Sequence, residues 1–274
     1  MRPTISQKRA RFAELHASPG CFVMPNPFDI GSAKYLASLG FPALATTSAG
    51  MAFAAGRPDG GVDRAYALSH IRDLAHATDL PLNADFEAGF ARDAEGVHES
   101  ARLCVGAGVA GFSIEDYTGD PKAPLYALSE AVERLRAARA AINATGEKVL
   151  LTARSEAILR QAGGLPEALR RLAAYAEAGA DVLYAPGIRS RDDIAAVVQS
   201  VDRPVNVLMG MGGIGLTRDD LSKLGVKRIS VGGALSRVAL GAFLRAAREM
   251  REHGTFTFTA NAASMAEITA MFAE

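Results

Sequence analysis

The sequence predicts a (β/α)8 barrel with a leading N-terminal helix and extra C-terminal helices, and three observations carry that expectation. Eight short apolar runs recur along the 274 residues. A stretch with apolar residues at helical spacing separates each pair. The runs are near-continuously apolar, as expected for parallel strands buried on both faces. Eight such units in about 250 residues suit a closed barrel. A doubly wound open sheet is the competitor. Even spacing, and no glycine-rich loop after the first run, favour closure.

Taken in order, residues 4–18 read as the leading helix. The strand-like runs are Cys21–Pro25, Ala43–Thr47, Leu82–Phe86, Gly111–Glu115, Val149–Ala153, Val182–Ala185, Val205–Leu208 and Arg228–Val231. Leu128–Ala138 and Pro166–Ala176 exemplify the helical segments between them. After His253-Gly254 the chain runs through Thr255–Asn261 into a short helix, Ala262–Phe272. The apolar residues there, Phe256, Phe258, Met265, Ile268, Met271 and Phe272, need a partner. A neighbouring subunit and the barrel's own helical ring are the two choices. With no tandem repeat beyond the βα unit and no linker, residues 1–274 read as a single domain.

Composition narrows the function. Apolar residues make up 49% of the chain, enough for a sizeable core, and 30 basic residues balance 30 acidic ones. A neutral chain lacks the electrostatic footprint of a nucleic-acid or anionic-membrane binder. No apolar run approaches the length of a membrane span, and the N-terminus has no apolar segment of secretory type. Cys21 and Cys104 are too few for a disulfide framework, so a cytoplasmic setting is the default.

In a barrel the C-terminal ends of the strands point into the active site. Those ends are rich in carboxylates: Asp85 and Glu87 after strand three, Glu115 and Asp116 after strand four, and Asp59 in the loop after strand two. Carboxylates crowded at one rim repel unless a cation sits among them, and oxygen-only ligands suit Mg²⁺, with Mn²⁺ as a substitute. Arg154 ends strand five and Lys122 follows strand four. Acids that hold a cation, beside bases that hold an anion, suit a small-molecule 2-oxo acid, whose carboxylate and keto oxygens chelate Mg²⁺ together. Structural salt bridges at the rim are the plainer explanation for any one of these residues. The five histidines fall in helix-like stretches, which argues against zinc or a histidine base. No lysine ends a strand, which argues against a Schiff-base aldolase. The glycine-rich Gly210–Gly215 follows strand seven, so it is no Rossmann fingerprint; phosphate binding is one reading and close packing the other.

Several segments together carry a resemblance: Asn26-Pro27-Phe28-Asp29, Thr47-Ser48-Ala49-Gly50 with Pro58-Asp59-Gly60, Ala84-Asp85-Phe86-Glu87-Ala88-Gly89-Phe90, Ser113-Ile114-Glu115-Asp116 and Thr152-Ala153-Arg154-Ser155-Glu156-Ala157. On these the chain resembles the isocitrate lyase/phosphoenolpyruvate mutase superfamily over nearly its whole length. The resemblance implies a barrel whose last helix swaps between paired subunits, in a homo-oligomer built as a dimer of dimers. It implies Mg²⁺-dependent chemistry on 2-oxo acids through a pyruvate-like enolate. By position, Asp85 would ligate the metal directly, and Asp59, Glu87 and Glu115 through water. Ser48, with Ala49 and Gly50, would contact substrate oxygens, Arg154 its carboxylate, Lys122 would match the loop lysine, and Asn206 would face the substrate from strand seven.

The departures set the loop after strand four apart from both well-known branches of the family. The family's lyases carry Lys-Lys-Cys-Gly-His after strand four, with the cysteine as general acid. Here residues 117–126 contain neither cysteine nor histidine. Ala123-Pro124 interrupts the Lys-x-Asn-Ser pattern of the phosphonate enzymes. The expectation is C–C cleavage or decarboxylation of an oxaloacetate-like substrate, which needs no cysteine acid. Tyr117, Tyr184 or water would supply a proton. The alternatives are phosphonomutase or phosphonopyruvate-hydrolase chemistry at a P–C bond, a phosphate-ester isomerase or synthase, and a non-catalytic barrel that binds a 2-oxo acid.

Overall fold

The computed structural model describes residues 2–212 and 215–272. Its strands are β1 (Phe22–Val23), β2 (Leu44–Ala45), β3 (Leu82–Asp85), β4 (Gly111–Glu115), β5 (Leu150–Arg154), β6 (Val182–Tyr184), β7 (Val205–Leu208) and β8 (Arg228–Ser230). The helices are α1 (Ile5–Ala17), α2 (Ile30–Ser38), α3 (Ser48–Ala54), α4 (Arg64–Ala77), α5 (Ala94–Gly106), α6 (Leu128–Thr145), α7 (Gly164–Glu177), α8 (Arg191–Gln199), α9 (Arg218–Lys223), α10 (Ala234–His253) and α11 (Met265–Met271).

All strand pairs are parallel, in the order β1-β8-β7-β6-β5-β4-β3-β2. The seam between β1 and β2 has no formal ladder. It is spanned by the Ala45 N–H, which donates to the Pro25 carbonyl at 3.0 Å, and by Asn26 Nδ2, which donates to the Thr46 carbonyl at 2.8 Å. The sheet therefore curls round on itself as the sequence predicts. At several ends the strands are one or two residues shorter than the apolar runs, whereas β5 runs one residue further, to Arg154.

The strands alternate more than their sequences suggest. Leu82, Ala84, Phe112, Ile114, Leu151 and Ala153 belong to the main apolar core. Their neighbours Asn83, Asp85, Ser113, Arg154, Asn206 and Arg228 line the inside of the barrel. Barrel interiors usually fill with branched apolar side chains. This one holds a buried arginine instead. Arg228 donates to Asn206 Oδ1 at 2.9 Å and to Thr152 Oγ1 at 2.9 Å, and lies 3.3 Å from His16 Nε2.

α1 places His16 at the floor of the barrel. Thr4 caps this helix with a reciprocal capping box to Gln7, fixing where it starts. Phe12 and Phe22 meet the His16 ring edge-on, at centroid distances of 4.6 and 5.2 Å. Its Nδ1 contacts the Phe12 carbonyl at 2.8 Å, leaving Nε2 to face Arg228. Burial first, and then the Arg228 charge, push the imidazole down to about 3. The unfolded chain, with an ordinary histidine, binds this proton below about pH 6.5. Stability is thus expected to fall as pH drops from 6.5 towards 3, by up to about 1.4 kcal/mol per pH unit from this one group. Urea midpoints between pH 7 and 4 check it: His16→Gln, which keeps an acceptor for Arg228 but cannot titrate, should show a shallower slope. Parallel slopes in the two proteins would sink the idea.

The C-terminal segment divides its packing. α11 lies against α2 of the same chain, with the Phe272 ring 3.7 Å from where a Gly31 Cβ would stand. That is the barrel's own ring, one of the two expected partners, yet Phe256, Met265, Ile268 and Phe272 stay exposed, so the ring covers this segment only in part. α10 differs, because Ser236 is its single buried residue. Val238, Phe243, Leu244 and Met250 along it are exposed.

Candidate active site

The acids predicted at the rim do converge, and the backbone explains how. Asp85 ends β3, Glu115 ends β4 and Arg154 ends β5, with Glu115 and Arg154 paired in register. The Asp85 N–H donates to Thr46 Oγ1 at 2.8 Å, and its Oδ2 accepts the Ser48 N–H at 3.0 Å. Thr47 caps α3 through the Gly50 N–H, so Ser48 opens the helix facing Asp85. A Cβ on Gly50 would come within 2.6 Å of Thr47 Cγ2 and 2.9 Å of Phe28 Cβ, so only glycine lets this turn approach the seam. Glu87 sits at φ +46°, a left-handed conformation rare outside glycine, and its carbonyl accepts the Glu115 N–H at 3.0 Å. That strained turn redirects the Glu87 side chain into the site. Asp59 enters on a tight turn closed by the Gly61 N–H to the Pro58 carbonyl.

Arg154 ties the acids together. Its Nη1 lies 3.6 Å from Asp85 Oδ1, and its Nε lies 3.3 Å from Glu115 Oε2 and 2.6 Å from Glu156 Oε1. Glu156 is fully buried and grips Arg160 with its other oxygen at 2.9 Å. The Arg154 guanidinium stands over the Tyr184 ring, 5.3 Å from its centroid. These groups open into a cleft of about 450 Å³ lined by Ser48, Asp59, Glu87, Glu115, Arg154 and Arg160.

The acids are crowded; Glu115 is buried, Asp85 and Glu87 are half-buried, and Asp59 is exposed at the cleft's edge. Burial pushes Glu87 up to about 7, with Asp85 and then Asp59 adding to it. Glu115 rises to about 8, chiefly by burial and against the pull of Arg154. Asp59 rises as well, from desolvation and then from Asp85. Asp85 Oδ1 and Glu87 Oε1 are buried without a hydrogen-bond donor. A buried carboxylate oxygen without a donor is costly, and a hard cation satisfies it. This all-oxygen set fits Mg²⁺. Among the described residues no three His, Cys, Asp or Glu side chains form a cage of direct ligands, so water and substrate would complete the coordination.

Other residues at the strand ends lie elsewhere. Asp116 faces outward, where it accepts the Glu156 N–H at 2.7 Å, Arg171 Nη1 at 3.0 Å and the Tyr175 hydroxyl at 2.6 Å; it is a structural acid. Asn206 spends both ends of its amide inside the barrel, on Ser230 and Arg228. Lys122 is exposed on its loop and does not line the cleft. That loop folds as a small hairpin, with Tyr117 bridging Leu125 and the Thr118 N–H donating to the Pro124 carbonyl. The clamp of Glu156 and the position of Arg160 went unread in the sequence, although their i,i+4 spacing was visible there.

The glycine-rich segment after β7 serves packing at its first residue. A Cβ on Gly210 would overlap the Val231 carbonyl oxygen and sit 2.7 Å from Ala234 Cβ. Gly213 and Ile214 of that segment lie outside the described residues. Gly210→Ala is expected to cost about 1–3 kcal/mol, as overpacking does, because backbone must shift. A thermal midpoint within one degree of the wild type would contradict this.

Comparison with known proteins agrees with the geometry. The family described as phosphoenolpyruvate phosphomutase matches residues 12–251. A solved structure, a putative lyase/mutase from Burkholderia cenocepacia J2315, is 51% identical, with 98% of each chain covered and a TM-score of 0.96. The 2-methylisocitrate lyase of Bacillus subtilis is 27% identical over 89% of this chain and 82% of its own. The oxaloacetate decarboxylase of Bradyrhizobium diazoefficiens is 28% identical over 72% of this chain and 69% of its own.

Proposed function

The chain belongs to the isocitrate lyase/phosphoenolpyruvate mutase superfamily, and on that premise we propose that it is a Mg²⁺-dependent lyase acting on a small 2-oxo acid through a pyruvate-like enolate. The favoured reaction is C–C cleavage or decarboxylation of an oxaloacetate-like substrate, in keeping with the relatives that are a lyase and a decarboxylase. One observation carries the reading. Two buried carboxylate oxygens, on Asp85 and Glu87, lack donors at the mouth of a barrel, beside a clamped arginine.

Asp85, with Asp59, Glu87 and Glu115 around it, would hold the metal. When bound, Mg²⁺ supplies positive charge against the negative charge that develops on the keto oxygen as a bond beside it breaks. The protein's own groups do the rest. Arg154, its Nε gripped by Glu156 and Glu115 and its Nη1 beside Asp85, would bind the substrate's carboxylate through its guanidinium. Ser48, whose N–H holds Asp85 in place, would contact substrate oxygens through its hydroxyl. Tyr117, on the cleft wall, Tyr184, under the Arg154 guanidinium, or water would deliver the proton.

The branch within the family rests on the loop of residues 117–126, a closed hairpin without cysteine or histidine. A lyase that needs a cysteine acid has no such group there. We assign the exposed apolar side of α10 to a second copy of the chain, as in the swapped arrangement that the resemblance implies.

Calorimetric titration with oxalate, in Mg²⁺ and in chelator, tests the enolate site. Binding that appears only with Mg²⁺ is the expected result, and binding indifferent to Mg²⁺ would end this reading. A panel of oxaloacetate, other 2-oxo acids and phosphonopyruvate then separates C–C from P–C chemistry by turnover.

A further inference from the structure

Arg154 and Arg160 are the two cations among the described residues that line the cleft. They are not equivalent. Arg154 lies deep, against Asp85 and Glu115, where the reacting end of a ligand would sit. Arg160 stands on the wall, with its side chain 35% exposed. Three features fix it there. Its Nε donates to Glu156 Oε2 at 2.9 Å, its N–H donates to the Glu156 carbonyl at 2.8 Å, and its guanidinium lies 3.7 Å from the centroid of the Tyr117 ring. One buried carboxylate thus sets the spacing of both guanidiniums.

Stacking on an aromatic face leaves the edge of a guanidinium available for in-plane hydrogen bonds. The terminal nitrogens of Arg160 make none among the described residues. The rest of that wall is neutral: Tyr117, Thr118, Gly119 and Tyr126. A ligand with an anionic group at each end would meet one arginine at each end, whereas a monoanion would use Arg154 alone.

We infer that Arg160, stacked on Tyr117 and oriented by Glu156, is a specificity-determining residue that binds a second, distal carboxylate, so that the substrate is a 2-oxo dicarboxylate. This rests on the enolate-site reading above. A fork of this kind forms charge-assisted, paired hydrogen bonds, which correspond to about 10- to 100-fold in affinity.

The test uses the full chain with Mg²⁺ and three probes: oxalate, which has no distal carboxylate, and the matched pair malate and lactate, which differ by one. Calorimetry on the wild type should show malate binding at least tenfold tighter than lactate. In Arg160→Gln that ratio should fall close to one, with oxalate affinity within about threefold of the wild type. Arg160→Lys should recover part of the preference, and Tyr117→Leu should lose part of it. A wild type without preference for malate overturns the proposal. So does a preference that survives in Arg160→Gln. A parallel loss of oxalate binding in Arg160→Gln also overturns it, because Arg160 would then act only through Glu156 on Arg154. A wild type that fails to bind oxalate with Mg²⁺ overturns the enolate site itself, and the proposal with it.

Discussion

Asp85→Ala is expected to abolish Mg²⁺-dependent oxalate binding and to lower kcat/KM by at least about 10³-fold while leaving the fold intact. Asp85 is the carboxylate that ends β3, holds the Ser48 N–H and keeps one oxygen without a donor. On the proposed function its removal would take away the direct anchor for a cation, and with it the charge that would stabilise an enolate. Losing a group that acts only through other ligands typically costs 10- to 100-fold, so the loss of the anchor itself should exceed that range. The fold is expected to tolerate the change. Asp85 is among the charges that push Glu87, Asp59 and Glu115 upward, so its absence relieves repulsion. Calorimetry gives the binding and a urea midpoint gives the stability. Oxalate binding that persists in the variant would remove Asp85 from the site. A collapse in stability would instead make it a structural acid like Asp116.

Arg154→Gln is expected to destabilise the protein by about 3–5 kcal/mol and to remove binding of 2-oxo acids. Breaking a buried ion cluster by deleting one partner leaves the others unpaired in a dry environment, and costs of that size are typical. Here Glu115, with 9% of its side chain exposed, loses its cation, and Glu156, with none exposed, is left with Arg160 alone. The cost should grow as pH rises. Glu115 has a folded value raised to about 8, so it favours the folded state below an ordinary glutamate's range and loses that contribution as pH climbs through 8. Without Arg154 the opposing pull is gone, and the upward shift widens. Urea unfolding at pH 6 and pH 8.5 measures both effects. A variant as stable as the wild type would show that the cluster is not paired as described.

The fold was largely readable from residue patterns. Eight apolar runs, each followed by helical periodicity, require a parallel sheet covered by helices, and the curled sheet with its Ala45–Pro25 seam follows. The acids at the strand ends were readable for the same reason. A parallel strand delivers its last residues to one rim, so Asp85, Glu115 and Arg154 had to meet once the barrel existed. Residue types alone misled at Asp116. It neighbours Glu115, and adjacent strand residues point to opposite faces, so only one of the pair can enter the site.

Local order along the chain thus decided the class of fold, the rim and the oxygen-rich chemistry, because these depend on side-chain periodicity and on where strands end. Partners far apart in sequence were settled only by tertiary packing. Arg228 reaches His16 across 212 positions, and Tyr117 reaches Arg160 from a different loop. Charge balance inside the barrel, the clamp on Arg154 and the stacking of Arg160 on Tyr117 depend on distances of a few ångströms between such groups. Spacing along a chain carries no information about those distances until the barrel has closed.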